Sequence, residues 1–324
     1  MSAHDSLDVA VLRGKAHGHP ISELADALRE RLPDHGIHAA RTPAEEREVI
    51  ADAPIAVGGS IDPELLSVAR NLEWFACSSA GVGHLPQALA DRGVTVTNAS
   101  GVHGPNIAEH ALGSMLAIAR SLDEGWRRQR EREWRHYRAF GELNGSTVTV
   151  IGLGAIGTTL VERLAGFDVH TIGVRYTPSK GGPTDEVIGF EGAALHDAYA
   201  RTDYLVAACP LTDTTRGLID REAFATLPAD AVLVNVARGG VVDTAAVTAA
   251  LRNNKIHAAA LDVTDPEPLP EEHPLWGLEN VMITPHMAGH TDAYWTRLAD
   301  IVAENVRRVV DTGSYADLRN RVEL

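Results

Sequence analysis

The chain has 324 residues, 44% hydrophobic and 23% charged, which suits a globular protein with material for two cores rather than one. A formal charge of −15 opposes a nucleic-acid backbone or an anionic membrane as the main partner. With Cys77 and Cys209 alone there is no disulfide framework, and both thiols are expected to be reduced and buried.

The N-terminus, "MSAHDSLDVAVL", has no basic region before its short apolar run and does not read as a signal peptide. From residue 7 to about 101 the segments "LDVAVL", "ISELADALRERL", "PIAVGG", "DPELLSVAR", "LEWFACSSAG", "LPQALADRG" and "VTVTNASG" alternate strand and helix, which predicts a parallel sheet with helical crossovers. Asp62 is placed as an N-cap with Pro63 at the first helical position. Pro105 opens a long helix to about Arg120, and its apolar part, "AEHALGSMLAIAR", is too short and polar to span a bilayer. A cytoplasmic location is therefore expected. The arginine-rich "WRRQREREWRHYR" follows, and its alternating Arg and Glu predict a solvated, salt-bridged helix face rather than an anion site. After the turn signal Asn144-Gly145 the alternation restarts with "TVTVIGLG", "AIGTTLVERLAGF", "VHTIGVR", "DYLVAAC", "REAFATL", "AVLVNVARGG", "TAAVTAALRNN", "IHAAALDV" and "VMITPH". The last helix, "DAYWTRLADIVAENVRRVV", carries a helical stripe of Trp295, Leu298, Ile301, Val302 and Val306. Two α/β units are expected.

"TVTVIGLGAIGTTL" sets Gly152, Gly154 and Gly157 in G-x-G-x-x-G spacing between a β-branched strand and a helical pattern. In that context Gly152 permits a tight turn, Gly154 lets backbone N–H groups approach a pyrophosphate, and Gly157 allows the helix to pack closely on the strand. A dinucleotide site is expected, beginning mid-chain, so the first hundred residues belong to another domain. Such loops are usually answered some twenty residues later by an acid that accepts from the ribose hydroxyls. Here that position, in "HTIGVRYTPSK", holds Arg175. A guanidinium inverts the electrostatic preference and favours the 2′-phosphate of NADPH, with NADH the weaker alternative. Tyr176, Thr177, Ser179 and Lys180 are further candidates around that phosphate.

Three later strands each lead to a charged residue: "VLVNVARGG" to Arg238, "LDVTDPEPLP" to Glu267, and "MITPHMAGH" to His286. Residues beyond the carboxyl ends of strands in an open α/β sheet converge on the cofactor crevice. The histidines do not suggest a metal, since H-E-x-x-H is absent and no cysteine cluster accompanies them.

The ordered segments "SSAGVGHLPQALADRGVTVTNASGVHGPNIAEHAL", "GLGAIG", "ACPLTDTTRGLID", "VNVARGGVVD", "ALDVTDPEPLP" and "TPHMAGHT" span most of residues 75 to 310. They resemble the D-isomer-specific 2-hydroxyacid dehydrogenases, a family that includes glyoxylate/hydroxypyruvate reductases and D-lactate and phosphoglycerate dehydrogenases. The wording "LDVTDPEPLPEEHPL" and the nineteen-residue step from Glu267 to His286 most resemble the glyoxylate/hydroxypyruvate reductase branch. The resemblance implies an α/β fold of two Rossmann-like domains with doubly wound parallel sheets. Residues 1–102 and 289–324 would form a substrate-binding domain, with a dinucleotide-binding domain of 103–288 inserted in it.

It further implies reduction of a 2-oxo acid to the (R)-2-hydroxy acid. The planar fork of Arg238 would hold the substrate carboxylate and polarise the carbonyl, and His286 would donate the proton. Glu267, paired with the imidazole, would stabilise its protonated form. Backbone N–H groups at Ala80 and Gly81 are implied as further carboxylate ligands. Leu153, Ala155, Ile156, Pro210, Thr215 and Val236 would line the cofactor, with Asp262 and His286 near the nicotinamide. A homodimer through the helix equivalent to Pro105–Arg120 is implied as well. Formate dehydrogenases resemble this pattern but carry Gln where this chain has Glu267. Transcriptional corepressors share the fold and bind dinucleotide without turnover, which is the alternative reading.

Overall fold

The computed structural model describes residues 6–137 and 141–324, so the first five residues of the N-terminal stretch and Arg138 of the arginine-rich segment lie outside the description. The chain divides into two compact units, Met1–Val102 with His290–Leu324, and His103–Gly289. Among the described residues, no helix is long and apolar enough to cross a membrane.

The first unit begins with β1 (Asp8–Val11), followed by a small antiparallel hairpin of β2 (Lys15–Ala16) and β3 (His19–Pro20). Then come α1 (Ser22–Arg31), β4 (Gly36–Ala39), α2 (Pro43–Ile50), β5 (Ile55–Gly58), α3 (Pro63–Val68), β6 (Trp74–Cys77), α4 (Ala88–Asp91) and β7 (Thr95–Thr97). Asp62 caps α3 as expected, accepting from the Leu65 amide at 2.7 Å. The hairpin, β4 and α2 were not legible in the apolar pattern. Only Ile50 of α2 is buried, so the helix has no apolar stripe and is set instead by its Thr42 cap and Pro43.

The second unit contains α5 (Gly104–Ala119), α6 (Leu122–Glu131), β8 (Thr147–Ile151), α7 (Ala155–Leu164), β9 (His170–Val174), β10 (Glu186–Ile188), α8 (Ala193–Ala200), β11 (Tyr204–Ala207), α9 (Arg221–Thr226), β12 (Val232–Asn235), α10 (Thr244–Arg252), β13 (Ala258–Leu261) and β14 (Val281–Ile283). Its described strands form one parallel sheet in the order β10-β9-β8-β11-β12-β13-β14. The central strands are covered on both faces. Leu205 and Ala207 of β11 join one apolar cluster, while Tyr204 and Val206 join another, as period-two alternation requires. On α6, Glu124 pairs with Arg127 and Arg128, and Glu131 with Arg127, so the expected ion pairing is present, but the helix ends at Glu131 with Arg132 in the left-handed region, and residues 133–137 of the arginine-rich segment are not helical.

The chain returns to the first unit through α11 (Tyr294–Thr312), whose stripe of Trp295, Leu298, Ile301, Val302 and Val306 is buried. It ends on β15 (Arg321–Val322), antiparallel to β7. The first sheet therefore runs β15-β7-β6-β5-β1-β4, parallel except for its last strand. Its buried Trp74 donates from Nε1 to Thr97 Oγ1 at 2.9 Å, which satisfies the indole. The fold is thus α/β with doubly wound parallel sheets.

Candidate active site

In the second unit every candidate residue follows a parallel strand, so all of them lie at one edge of one sheet. The glycine loop follows β8, Arg175 follows β9, Pro210 and Thr215 follow β11, Val236 and Arg238 follow β12, Asp262 and Glu267 follow β13, and His286 follows β14. The strand order reverses beside β8, between it and β11, and such switch points are where open α/β sheets bind ligands.

Gly152 adopts φ +102°, and a Cβ there would lie 2.8 Å from the Ala208 carbonyl oxygen and from Cys209 Cα. A Cβ on Gly157 would collide with the Gly152 carbonyl oxygen, so α7 can start this close to β8 only with glycine at both positions. Gly154 is the contrast. It is the N-cap of α7 with no side-chain cap, and a Cβ on it would meet nothing within 4 Å. The first-turn amides of Ala155, Ile156 and Gly157 therefore present the donor end of a helix beside open space, which fits a dinucleotide pyrophosphate. Leu153 is buried, whereas Ala155 is exposed.

Arg175 is the first residue past β9, and its amide donates to the Ile188 carbonyl at 3.0 Å. Its Nη1 donates to the Gly181 carbonyl, at the end of a single 3₁₀ turn formed by Pro178–Lys180. One bond of this kind orients the guanidinium and leaves most of its five N–H donors for a ligand. Tyr176 beside it is exposed.

His286 Nδ1 lies 2.6 Å from Glu267 Oε1, with both side chains partly open to solvent. Donation from Nδ1 to the carboxylate leaves Nε2 as the nitrogen that can exchange a proton with a ligand. The Asp265–Pro266 and Glu267–Pro268 peptides are both cis. His286 sits in the left-handed region at φ 51°. Its amide donates to the carbonyls of Asp262 at 2.8 Å and Thr284 at 3.0 Å. The Asp262 carboxylate, only 5% exposed, organises the same loop. Its Oδ1 accepts from Thr284 Oγ1 at 2.6 Å and the Met287 amide at 2.9 Å, and its Oδ2 accepts from the Ala288 amide at 3.0 Å. The sequence reading gave Asp262 only a cofactor contact and missed this structural engagement.

Arg238 is exposed just past β12, with Nη1 donating to the Ala237 carbonyl at 2.7 Å. Buried Asn235, also unread in the sequence, braces that turn by accepting from the Ala237 amide at 3.1 Å and donating to the Arg238 carbonyl at 3.2 Å. Thr215 is buried, and its hydroxyl donates to the Pro210 carbonyl at 2.6 Å, so it shapes the turn after β11. Val236 is 5% exposed. A crevice of about 370 Å³ opens beside the acid–base pair, lined by Asp262, Glu267, Leu269, Trp276, Ile283 and His286 among others. Burial pushes the Cys209 thiol, just past β11, up to about 11, which removes it as a nucleophile at neutral pH. Ala80 and Gly81 belong to the first unit, in an exposed turn after β6, where the Ala80 carbonyl accepts from Asn98 Nδ2 at 2.8 Å.

The model of the D-isomer specific 2-hydroxyacid dehydrogenase NAD-binding domain matches residues 112–288, more than half of the chain. The chain belongs to this family. Within the D-isomer specific 2-hydroxyacid dehydrogenases it is 34% identical to a D-3-phosphoglycerate dehydrogenase of Methanocaldococcus jannaschii, over 90% of this chain and 56% of that protein. The chain therefore spans little more than half the length of such curated relatives. It is 36% identical to a glyoxylate reductase of Thermofilum pendens, over 77% of this chain and 75% of that protein. Among solved structures, a D-isomer specific 2-hydroxyacid dehydrogenase of Xanthobacter autotrophicus in complex with NADPH and MES superposes with a TM-score of 0.74 at 30% identity, covering 98% of each chain.

Proposed function

We propose that the chain is a cytoplasmic, homodimeric dehydrogenase that uses NADPH in preference to NADH and reduces a small 2-oxo acid to the (R)-2-hydroxy acid. The observation that carries this reading is the 2.6 Å His286–Glu267 pair on the sheet edge that also bears the glycine loop. Residues Gly152 to Gly157 hold the pyrophosphate, with Pro210, Thr215, Val236 and Asp262 along the remainder of the cofactor. The bound reduced nicotinamide supplies the hydride.

The chain's own residues supply charge and the proton. Arg238 grips the substrate carboxylate with its planar fork, and its charge stabilises the oxygen that becomes an alkoxide. His286 holds a proton on Nε2 for the carbonyl oxygen, while Glu267 accepts from Nδ1, fixes the ring and balances its charge. A carboxylate at position 267 suits a reaction that moves a proton. In the reverse direction the same imidazole takes the hydroxyl proton back.

The cofactor preference rests on Arg175, whose guanidinium is oriented by the Gly181 carbonyl at the place where an acid would repel a 2′-phosphate. The substrate class rests on the likeness to the glyoxylate/hydroxypyruvate reductase branch. The deciding experiment is a panel of glyoxylate, hydroxypyruvate and branched 2-oxo acids assayed in parallel with NADPH and NADH. Faster oxidation of NADPH on at least one of them is expected. Tight NADPH binding with no turnover on any would support the corepressor-like sensor instead, and a higher kcat/KM with NADH would overturn the cofactor preference.

A further inference from the structure

We propose that His110 is a positioning residue for the proton donor, acting on the His286 loop through Thr284 and Asp262; this rests on the reading of His286 as the general acid. The chain of contacts starts on α5, where Ala108, Ala111 and Met115 around His110 are fully buried and fix the helix against its sheet. From that helix His110 Nε2 reaches Thr284 Oγ1 at 3.2 Å. The Thr284 hydroxyl has one hydrogen, and it is given to Asp262 Oδ1 at 2.6 Å. Toward His110 the hydroxyl can then only accept, so the imidazole carries its proton on Nε2. The same nitrogen lies 3.9 Å from Asp262 Oδ1, where any positive charge on the ring faces the carboxylate.

The far end of the chain encloses the reacting imidazole. Thr284 precedes His286 by two residues, and the Met287 and Ala288 amides that follow it donate to Asp262 Oδ1 and Oδ2. The His286 amide donates to the Asp262 carbonyl. His286 is thus held on both sides by one carboxylate whose own orientation is shared with a hydroxyl that His110 fixes. A left-handed φ at a non-glycine residue is retained only where its surroundings over-determine it, and this network does so at His286. Removing the His110 donor frees the Thr284 hydroxyl to turn and loosens Asp262. Misplacement of a reacting group by about 1 Å can cost on the order of 100-fold in rate.

The test uses full-length protein carrying H110L, H110Q, T284V or both H110L and T284V, each first checked for a cooperative thermal transition. H110L is expected to lower kcat about tenfold, with KM for the cofactor near that of the unmodified chain, because the loop and not the glycine cradle is disturbed. H110Q, whose amide can donate at the place of Nε2, is expected to recover most of the loss. T284V is expected to match H110L, and the double variant to be no worse than either, since both break one chain. Independently of turnover, hydrogen exchange at the Met287 and Ala288 amides is expected to speed up about tenfold in H110L and T284V and to stay slow in H110Q. An undiminished kcat in H110L with unaltered exchange overturns the proposal, as does equal damage in H110L and H110Q. Should the unmodified chain reduce no 2-oxo acid, the enzymatic reading fails. Exchange alone then decides the His110 link, faster exchange in H110L supporting it and unaltered exchange overturning it.

Discussion

The two sheets are wound alike and equipped differently. In each, the first strand lies inside and the order runs outward on both sides of it, β4 and β5 beside β1, β9 and β11 beside β8. Each therefore offers a switch point at its carboxyl edge. After β8 the chain needs only the turn Gly152 to Gly154 before α7 begins, and a Cβ on Gly154, the helix N-cap, would meet nothing within 4 Å. After β1 the corresponding stretch is the β2–β3 hairpin, with His17 in the left-handed region at its turn, and α1 starts only beyond it without a side-chain cap. Topology supplies the edge, but the residues of one turn decide whether a phosphate can use it.

The sharpest way to break this contrast is to remove the proposed proton donor from the second sheet. His286→Ala is expected to reduce turnover at least about 100-fold while NADPH binding, measured by calorimetry, is largely retained. Near-normal turnover would take the reaction away from this edge. A paired glycine experiment addresses the turns themselves. Gly157→Ala drives a methyl into the Gly152 carbonyl and is expected to cost about 1–3 kcal/mol of stability and to weaken NADPH binding at least about tenfold. Gly14→Ala, in the first unit's turn, meets only Ile21 Cδ1 at an ordinary 3.7 Å and should leave binding unchanged and stability within about 0.5 kcal/mol. Equal effects of the two substitutions on NADPH binding would erase the distinction.

What could be read from the sequence follows the same division. Strands buried on both faces, such as "TVTVI" and "YLVA", are continuous apolar runs and announce themselves. The short edge strands β10 and β15 and the exposed helix α2 carry no such run, because little of them is buried. In the candidate site, Arg238, Glu267 and His286 could be proposed from the sequence because each couples a charged or titratable side chain to the end of a strand. The support beneath them could not. Thr284 and Asp262 are 22 positions apart and His110 and Thr284 are 174 apart, so no local pattern joins them.

A smaller effect is expected at the end of β9. Arg175→Asp replaces a donor to phosphate with a charge that repels it, and a charge-assisted hydrogen bond contributes about 1.5–3 kcal/mol. The ratio of kcat/KM for NADPH to that for NADH should fall by roughly one to two powers of ten. An unchanged ratio would move the cofactor choice to another part of the second sheet's edge.

The smallest expected effect tests the outer strand of the same sheet. Glu186 on β10 accepts from both terminal nitrogens of Arg201, at 2.9 and 3.0 Å, and lies 2.7 Å from His170 Nε2. These partners, Arg201 first, hold its carboxyl down at about 2 against an ordinary 4.5. A depressed folded-state value means that the unfolded chain binds the proton first, so the pair stabilises the fold above about pH 4.5 and is lost as pH falls towards 2. The Glu186 side chain is 35% exposed, and solvent screening limits the contribution to roughly 1 kcal/mol or less. Glu186→Gln should therefore lower stability slightly at pH 7, and urea unfolding should show the gap to the unmodified chain closing between pH 4.5 and 2. A gap that persists at pH 2 would mean that Glu186 acts through packing rather than charge.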